Sequence, residues 1–131
     1  MHKSKLAGFI IDCQTDDVQT AAQFWSAALG MPLRQLPDAE GESYVRLLDP
    51  NDALHIEVQA VSHPSRVHLD IESDDIEAEA ERLKKLGALE ITRVHNWIVM
   101  QAPTGQRFCI VRSQSEHFDI RANVWTAASE A

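Results

Sequence analysis

An internal duplication constrains this chain more than any other feature. Residues 9–30 read FIIDCQTDDVQTAAQFWSAALG, and residues 67–87 read VHLDIESDDIEAEAERLKKLG. In each copy an apolar segment is followed by a pair of aspartates, an amphipathic segment and a glycine. This order predicts a strand, an acid-capped helix start, a helix and a left-handed helix stop. We therefore expect two similar folding units.

Three further apolar segments with strand character follow each predicted helix. They are residues 32–36, 43–48 and 54–60 in the first copy and residues 89–94, 97–101 and 107–112 in the second. The turn sequences DPND and APTG precede the last strand of each copy. The predicted fold class is therefore α+β, with two tandem βαβββ modules forming a curved mixed sheet with an enclosed cleft.

The module boundaries follow from the same pattern. Module 1 is predicted at about 7–60, module 2 at about 65–113, and a C-terminal tail at 114–131 lies outside the duplication. A chain of 131 residues is the size of one domain, so 1–131 is predicted to form a single domain. Trp125 is expected to pack against its own domain or a partner subunit, with a place in the cleft wall as the alternative.

Charge and composition argue against several classes of partner. The chain carries 12 Lys and Arg against 20 Asp and Glu, a net charge of −8, which disfavours binding to nucleic acid. No segment approaches the roughly 18 apolar residues of a membrane span, and the first residues lack the features of a secretory signal. We expect no membrane partner, a cytoplasmic location, and free thiols at Cys13 and Cys109.

The duplicated βαβββ order, together with several short motifs, resembles the vicinal oxygen chelate superfamily. That superfamily includes glyoxalase I, extradiol dioxygenases and bleomycin or fosfomycin resistance proteins. The resemblance covers about residues 7–113 and rests on FWSAALG, RVHLDIESDDIEAEAERLKKLGA and APTGQRFCIV. More narrowly, the chain is similar to small glyoxalase-like proteins with IDC, VHLD and FCIV at these places. The resemblance implies a small-molecule ligand in the cleft and a homodimer.

The resemblance also implies where a metal would be held. Metal-dependent members use a His or Gln on the first strand and a Glu on the last strand of each module. His68 matches the second-module histidine, Ile10 stands at its first-module counterpart, and Cys109 stands where the second Glu belongs. Period-2 alternation puts Glu57 on the face away from the helix, where it could serve as a ligand. The candidate metal ligands are His68, Glu57 and Cys109, for Fe, Zn or Ni.

Other roles for these residues stay open at this point. His68 and Glu57 are the candidate catalytic residues, and His68 could instead be hydrogen-bonded to a carboxylate such as Asp70 or Glu57. Cys109 could equally be a small apolar core residue. The candidate ligand-binding residues are Trp97, Tyr44, Cys109 and Asp70.

A separate set of residues concerns anions. Arginines that lie on predicted strands need a partner if they are buried, and one or two could receive an anionic ligand. They are Arg46, Arg93, Arg107 and Arg112.

The first expectation is a glyoxalase-like protein that binds a small polar or aromatic molecule without a cofactor or an intact metal centre. One alternative is a metal-dependent lyase, isomerase or dioxygenase that uses His68, Glu57 and Cys109. Another is a non-catalytic protein that sequesters a drug or metabolite.

Overall fold

The computed structural model describes residues 1–126, and the chain divides into two compact units. The first unit comprises residues 8–68, and the second comprises residues 1–7 together with residues 69–126 of the described chain. The elements, in chain order, are β1 (His2–Gln14), α1 (Val18–Leu29), β2 (Leu33–Gln35), α2 (Glu40–Ser43), β3 (Tyr44–Leu48), β4 (His55–Val61), β5 (Arg66–Ser73), α3 (Ile76–Lys85), β6 (Leu89–Val94), β7 (Trp97–Gln101), β8 (Arg107–Arg112), α4 (Phe118–Arg121) and β9 (Asn123–Trp125).

The first unit is a small mixed sheet with α1 on one face. Strand β1 pairs in parallel with β4, β4 pairs antiparallel with β3, and β3 pairs antiparallel with β2. Alternate residues of the strands pack against α1, because successive side chains in a strand point to opposite faces. The buried core consists of Ile11, Val18, Ala22, Val45, Leu47, Ile56 and Val58. The opposite face of this sheet therefore carries Glu57, as the alternation predicted.

The second unit repeats this arrangement. Strand β5 pairs in parallel with β8, β8 pairs antiparallel with β7, and β7 pairs antiparallel with β6. Helix α3 packs over β7 and β8, where its Ala80 joins Ile98, Met100 and Ile110 in the core. The α+β class and the repeated βαβββ order are confirmed.

Helices α1 and α3 are capped by aspartates at their N-termini, as the duplication predicted. The carboxylate of Asp17 accepts a hydrogen bond from the Thr20 backbone N–H at 3.2 Å, and that of Asp75 accepts one from the Ala78 N–H at 3.0 Å. Gly30 closes α1 in the left-handed conformation, with φ of 68°. These aspartates have a local structural role at the helix starts.

Strand β5 is less covered than its apolar alternation predicts. Val67 is 59% exposed and Leu69 is 51% exposed. The core of this unit is centred on β7 and β8, so α3 does not shield the beginning of β5.

The N-terminal strand is longer than the sequence predicts. Strand β1 begins at His2, and its first residues pair antiparallel with β9, with His2 opposite Trp125. The indole N–H of Trp125 donates to Ser4 Oγ at 2.8 Å, and the Arg82 guanidinium lies 3.8 Å from the centre of the Trp125 ring. Trp125 thus packs within its own chain. Of the predicted tail 114–131, residues 127–131 lie outside the described residues.

Two further predictions can be compared with the structure. Cys13 and Cys109 are both free thiols. Within residues 1–126, no helix has the length and apolar character needed to cross a membrane.

Candidate functional site

A histidine–aspartate pair is the first component of the site. His68 on β5 and Asp12 on β1 lie 2.7 Å apart, measured from Nδ1 to Oδ2. The Asp12 side chain is 2% exposed and that of His68 is 14% exposed. An ionised carboxylate only accepts hydrogen bonds, so beside it Nδ1 carries the proton in the neutral imidazole, which then has its lone pair on Nε2, and also in the imidazolium. The pair therefore fixes the orientation of His68.

Asp12 has a cationic side chain nearby but is incompletely hydrogen-bonded. Arg66 Nε lies 3.7 Å from Asp12 Oδ2, close enough to offset the buried negative charge. The other oxygen, Oδ1, is buried and has no hydrogen-bond partner among residues 1–126. Native structures leave few buried polar atoms unsatisfied, and those that remain often belong to sites.

The second component is a group of three possible metal ligands on β5 and its neighbour β8. His68 and Asp70 are two positions apart on β5 and so lie on the same face of the strand. Cys109 is the register partner of Asp70 on β8. One ligand atom from each residue lies within 4.8 Å of the other two.

The chemistry of these donors fits a divalent metal. Imidazole, carboxylate and thiolate together suit Zn²⁺ or Fe²⁺, and three protein ligands leave coordination positions open for a substrate. The Asp12–His68 contact strengthens this fit, because a metal-binding histidine usually donates its other ring N–H to a carboxylate or carbonyl. His68, Asp70 and Cys109 are the residues that could hold such an ion.

The predicted ligand Glu57 has a different neighbour. Its Oε1 lies 3.0 Å from His55 Nε2, two residues away on β4. Asp70, predicted from the sequence as a ligand-binding residue, joins His68 and Cys109 in the group of metal donors. The catalytic and metal roles of Glu57 stay predictions.

The two aromatic candidates lie on the sheet faces that the helices leave open. Tyr44 accepts a hydrogen bond from Gln59 Nε2 at 2.8 Å, which fixes its hydroxyl on the open face of the first unit. Trp97 is two residues before Val99, the register partner of Cys109, so Trp97 and Cys109 share one face of the second unit. Their roles as ligand-binding residues stay predictions.

Asp12 is the site residue that the sequence did not reveal. The duplication aligns it with Asp70, so each copy has an aspartate inside an apolar strand. A carboxylate at such a position is costly to bury and needs a partner. This was the available signal, but the identity of the partner, 56 residues away, required the structure.

A family model described as "Glyoxalase-like domain" matches residues 8–111. No curated protein matches the sequence significantly.

Several solved structures share the fold. Methylmalonyl-CoA epimerase from Mycobacterium tuberculosis is 16% identical, with a TM-score of 0.63, over 83% of this chain and 87% of that chain. A hypothetical protein from Bacillus halodurans C-125 is 17% identical, with a TM-score of 0.60, over 86% and 98%. A glyoxalase/bleomycin resistance protein/dioxygenase superfamily member from Vibrio splendidus 12B01 is 18% identical, with a TM-score of 0.50, over 81% and 98%.

At these identities the solved structures support the fold, while the family model covers most of the chain. The protein belongs to the glyoxalase-like domain family, and its fold resembles that of a solved member of the glyoxalase/bleomycin resistance protein/dioxygenase superfamily.

Proposed function

We propose that this protein binds a divalent metal through His68, Asp70 and Cys109 and acts on a small molecule there as a lyase, isomerase or dioxygenase. The observation that carries the proposal is the group of three donor atoms within 4.8 Å of one another. The sequence had offered a metal-dependent enzyme as an alternative, with Glu57 as a ligand. Asp70 now supplies a carboxylate beside His68 and Cys109, which makes the metal-dependent alternative the better supported one.

Each residue of the site would have a separate role. A bound divalent ion would supply a Lewis acid for an oxygen of the substrate. Asp70 and a deprotonated Cys109 would contribute two negative charges that balance the ion. Asp12 would hold the proton on His68 Nδ1 and keep Nε2 directed away from β1, so that the imidazole need not reorient when a ligand binds.

A metal-free proton transfer is the second candidate. The hydrogen bond of 2.7 Å between His68 and Asp12 supports it, because a carboxylate behind Nδ1 orients an imidazole and stabilises its protonated form. In that case His68 Nε2 would take a proton from the bound small molecule, and Asp12 would act as a positioning residue.

Cobalt(II) separates the two candidates by a spectroscopic signal. Metal-free protein without an affinity tag would be titrated with Co²⁺, and cysteine ligation would appear as a thiolate-to-cobalt band in the near ultraviolet. We expect one equivalent of Co²⁺ to bind with this band, and the band to disappear in Cys109→Ser.

Cys13→Ser is the matched control. Cys13 is a free cysteine on β1, and burial raises the pKa of its thiol, so it should remain protonated and contribute nothing to the band. Absence of stoichiometric binding, or a band that persists in Cys109→Ser, would overturn the metal proposal. If the band behaves as expected, elemental analysis of the protein as purified would show whether Zn, Fe or Ni accompanies it.

The homodimer and the cytoplasmic location predicted from the sequence stay predictions. Free thiols at Cys13 and Cys109 fit a reducing compartment. Light scattering during size-exclusion chromatography would test the dimer directly.

A further inference from the structure

The strand arginines differ in whether they have a partner. Glu77 and Glu90 bind Arg93, and Gln101 accepts a hydrogen bond from Arg107 Nε at 3.2 Å. Arg46 differs: its Nε is buried and has no hydrogen-bond partner among residues 1–126. A guanidinium donor hidden from water without an acceptor is costly, so Arg46 is the arginine whose surroundings call for a ligand.

A second arginine stands directly beside Arg46. Arg34 on β2 is its register partner in the antiparallel β2–β3 pair. The adjacent partners in this pair, Leu33 and Leu47, pack into the core with α1. Because side chains alternate along a strand, Arg34 and Arg46 lie together on the opposite, open face of the first unit.

The charges around this arginine pair are not balanced within the unit. In the described part of the chain, no carboxylate comes within ion-pair distance of Arg34 or Arg46. Glu57 is the register partner of Arg46 on β4, but its Oε1 accepts from His55. Burial lowers the pKa of Arg46, the positive charge of Arg34 lowers it further, and the charges of Glu57 and Asp52 act in the opposite sense. Like charges opposite each other on neighbouring strands destabilise a sheet unless something neutralises them.

We propose that Arg34 and Arg46 form a subsite for an anionic group, a carboxylate or a phosphate, of the molecule that this protein binds. A guanidinium presents several N–H donors in one plane, and this geometry matches the paired oxygens of a carboxylate or phosphate. An anion placed between the two side chains would satisfy the buried Nε of Arg46 and neutralise the repulsion between them. Arg34, which is exposed, would form the outer side of the subsite.

The subsite lies on the same sheet face as Asp12. Asp12 of β1 pairs with Gln59 of β4, and Gln59 pairs with Tyr44 of β3. Two residues earlier on β4, Glu57 pairs with Arg46 of β3. Strand β3 is therefore two strand spacings, or roughly 10 Å, from β1. His68 lies on β5, one strand spacing beyond β1, so a metabolite of roughly 14 Å could place its anionic end at Arg46 and its other end at His68. That a single molecule reaches both Arg46 and His68 rests on the proposed function, whereas the anion subsite itself does not.

Arginine side-chain NMR tests the subsite without knowledge of the natural ligand. The Nε–Hε signals of ¹⁵N-labelled, metal-free protein would be followed during titration with sodium phosphate and, separately, sodium acetate, at ionic strength held constant with NaCl. Variants assign the signals. We expect saturable shifts of the Arg46 and Arg34 signals, and the anion that saturates at lower concentration identifies the preferred group.

Substitutions test which arginines bind the anion. Arg46→Gln and, separately, Arg34→Gln should each weaken binding of the preferred anion about tenfold or more, as loss of a charge-assisted contact does. Arg121→Gln, an exposed arginine on α4, is the matched control and should bind as the parent does. Arg34 is exposed, so its variant keeps the test valid if Arg46→Gln fails to fold. Shifts that rise linearly with both anions, or equal affinity in all three variants, would overturn the subsite.

The outcome also distinguishes this inference from the proposed function. Arg46→Gln should keep the near-ultraviolet cobalt band while it loses the anion. An anion that binds in protein without the cobalt band would overturn the metal proposal alone. A cobalt band in protein whose arginine signals do not respond would overturn the anion subsite alone.

Discussion

The fold has three buried carboxylates, Asp12, Glu72 and Glu79, and it treats Glu79 and Asp12, which lie in different units, differently. Glu79 on α3 has no exposed surface, and both of its oxygens accept hydrogen bonds: from His2, Ser4 and Arg82 at distances of 2.7 to 2.9 Å. Asp12 on β1 is 2% exposed, yet one of its oxygens has a close contact to His68 and the other has no partner within residues 1–126.

The difference in hydrogen bonding suggests that Glu79 stabilises the fold, whereas Asp12 belongs to the candidate site. A carboxylate that is buried only to hold a fold is stable when every oxygen is satisfied, as Glu79 is. Asp12 has one unsatisfied oxygen, and its other oxygen contacts the imidazole of His68. This arrangement stabilises the fold less than full hydrogen bonding would, but it orients His68 for a ligand. Burial alone does not distinguish Glu79 from Asp12, whereas the degree of hydrogen bonding does. An unsatisfied oxygen alone does not mark a site, because the buried Glu72 Oε2 also lacks a hydrogen-bond partner within residues 1–126 while its Oε1 accepts from Ser115.

Glu79 joins three segments that are distant in the sequence. His2 and Ser4 belong to β1, Arg82 belongs to α3, and Trp125 of β9 both donates to Ser4 and stacks on Arg82. Burial acts to raise the pKa of Glu79, but hydrogen bonds from Arg82, His2 and Ser4 outweigh it and lower the pKa. The folded state therefore favours the ionised acid.

The largest effect is expected when Glu79 loses its charge. Glu79→Gln keeps the shape but leaves the Arg82 guanidinium and its neighbours with a weak, partly mismatched acceptor, so the free energy of unfolding should fall by about 3 kcal/mol. Urea denaturation measures this. Glu81→Gln, on the exposed side of the same helix, should change it by no more than about 0.5 kcal/mol. Equal losses in the two variants would show that Glu79 is no more structural than a surface acid.

Acid should abolish the difference between the parent protein and Glu79→Gln. The pKa of Glu79 is lowered on folding from an ordinary value of 4.5. Its ionised form therefore contributes stability that is complete above pH 4.5 and lost as the pH falls through the folded pKa. Urea midpoints of the two proteins, measured from pH 7 downward, should converge only below pH 4.5. A gap that stays constant with pH would contradict an ionised Glu79.

The elements that the sequence predicted well are those specified by local pattern. Each helix start has its own aspartate, α1 has its own left-handed glycine, and the strands from β2 to β8 alternate clearly. The first residues of β1 were missed because HKSKLA has no apolar alternation. Its pairing partner β9 lies at the other end of the chain, so nothing near His2 indicates a strand.

In the candidate site, too, the sequence pattern indicates one residue but not the contacts that depend on packing. His68 was predictable because it breaks the duplication, where Ile10 takes its place in the first copy. The contact of His68 with Asp12 depends on the packing of residues 56 positions apart, which no local pattern encodes. The pairing of Asp70 with Cys109 depends on the register of β5 and β8, and a turn that is one residue longer would change it.

Asp12 should matter more for metal binding than for folding. Asp12→Asn keeps a group that can accept from His68 Nδ1 but removes the charge, so the affinity for Co²⁺ should fall about 10- to 100-fold, as for other outer carboxylates behind metal-binding histidines. The free energy of unfolding should change by less than about 1 kcal/mol, because Asp12 already has an unsatisfied oxygen. Competition titration with a chelating dye and urea denaturation measure the two quantities.

Asp16→Asn is the control for that substitution, since Asp16 is an exposed aspartate ahead of α1. It should leave both the Co²⁺ affinity and the stability as in the parent. If Asp12→Asn instead destabilised the protein as much as Glu79→Gln, Asp12 would be a structural carboxylate and the contrast between the two acids would fail.

A smaller loss of stability than in Glu79→Gln is expected at Ser4, one donor of the Glu79 network. Ser4→Ala removes the Oγ that donates to Glu79 at 2.7 Å and accepts from Trp125, while Arg82 and His2 continue to bind the carboxylate. The free energy of unfolding should fall by about 2 kcal/mol, because two hydrogen bonds of about 1 kcal/mol each are lost. Ser62→Ala, at an exposed serine, is the matched control. A loss as large as that in Glu79→Gln would mean that the network fails as a whole when one member is removed. In that case β1, α3 and β9 would be held together only when every hydrogen bond to Glu79 is made. The contributions of these hydrogen bonds to stability would then not be additive.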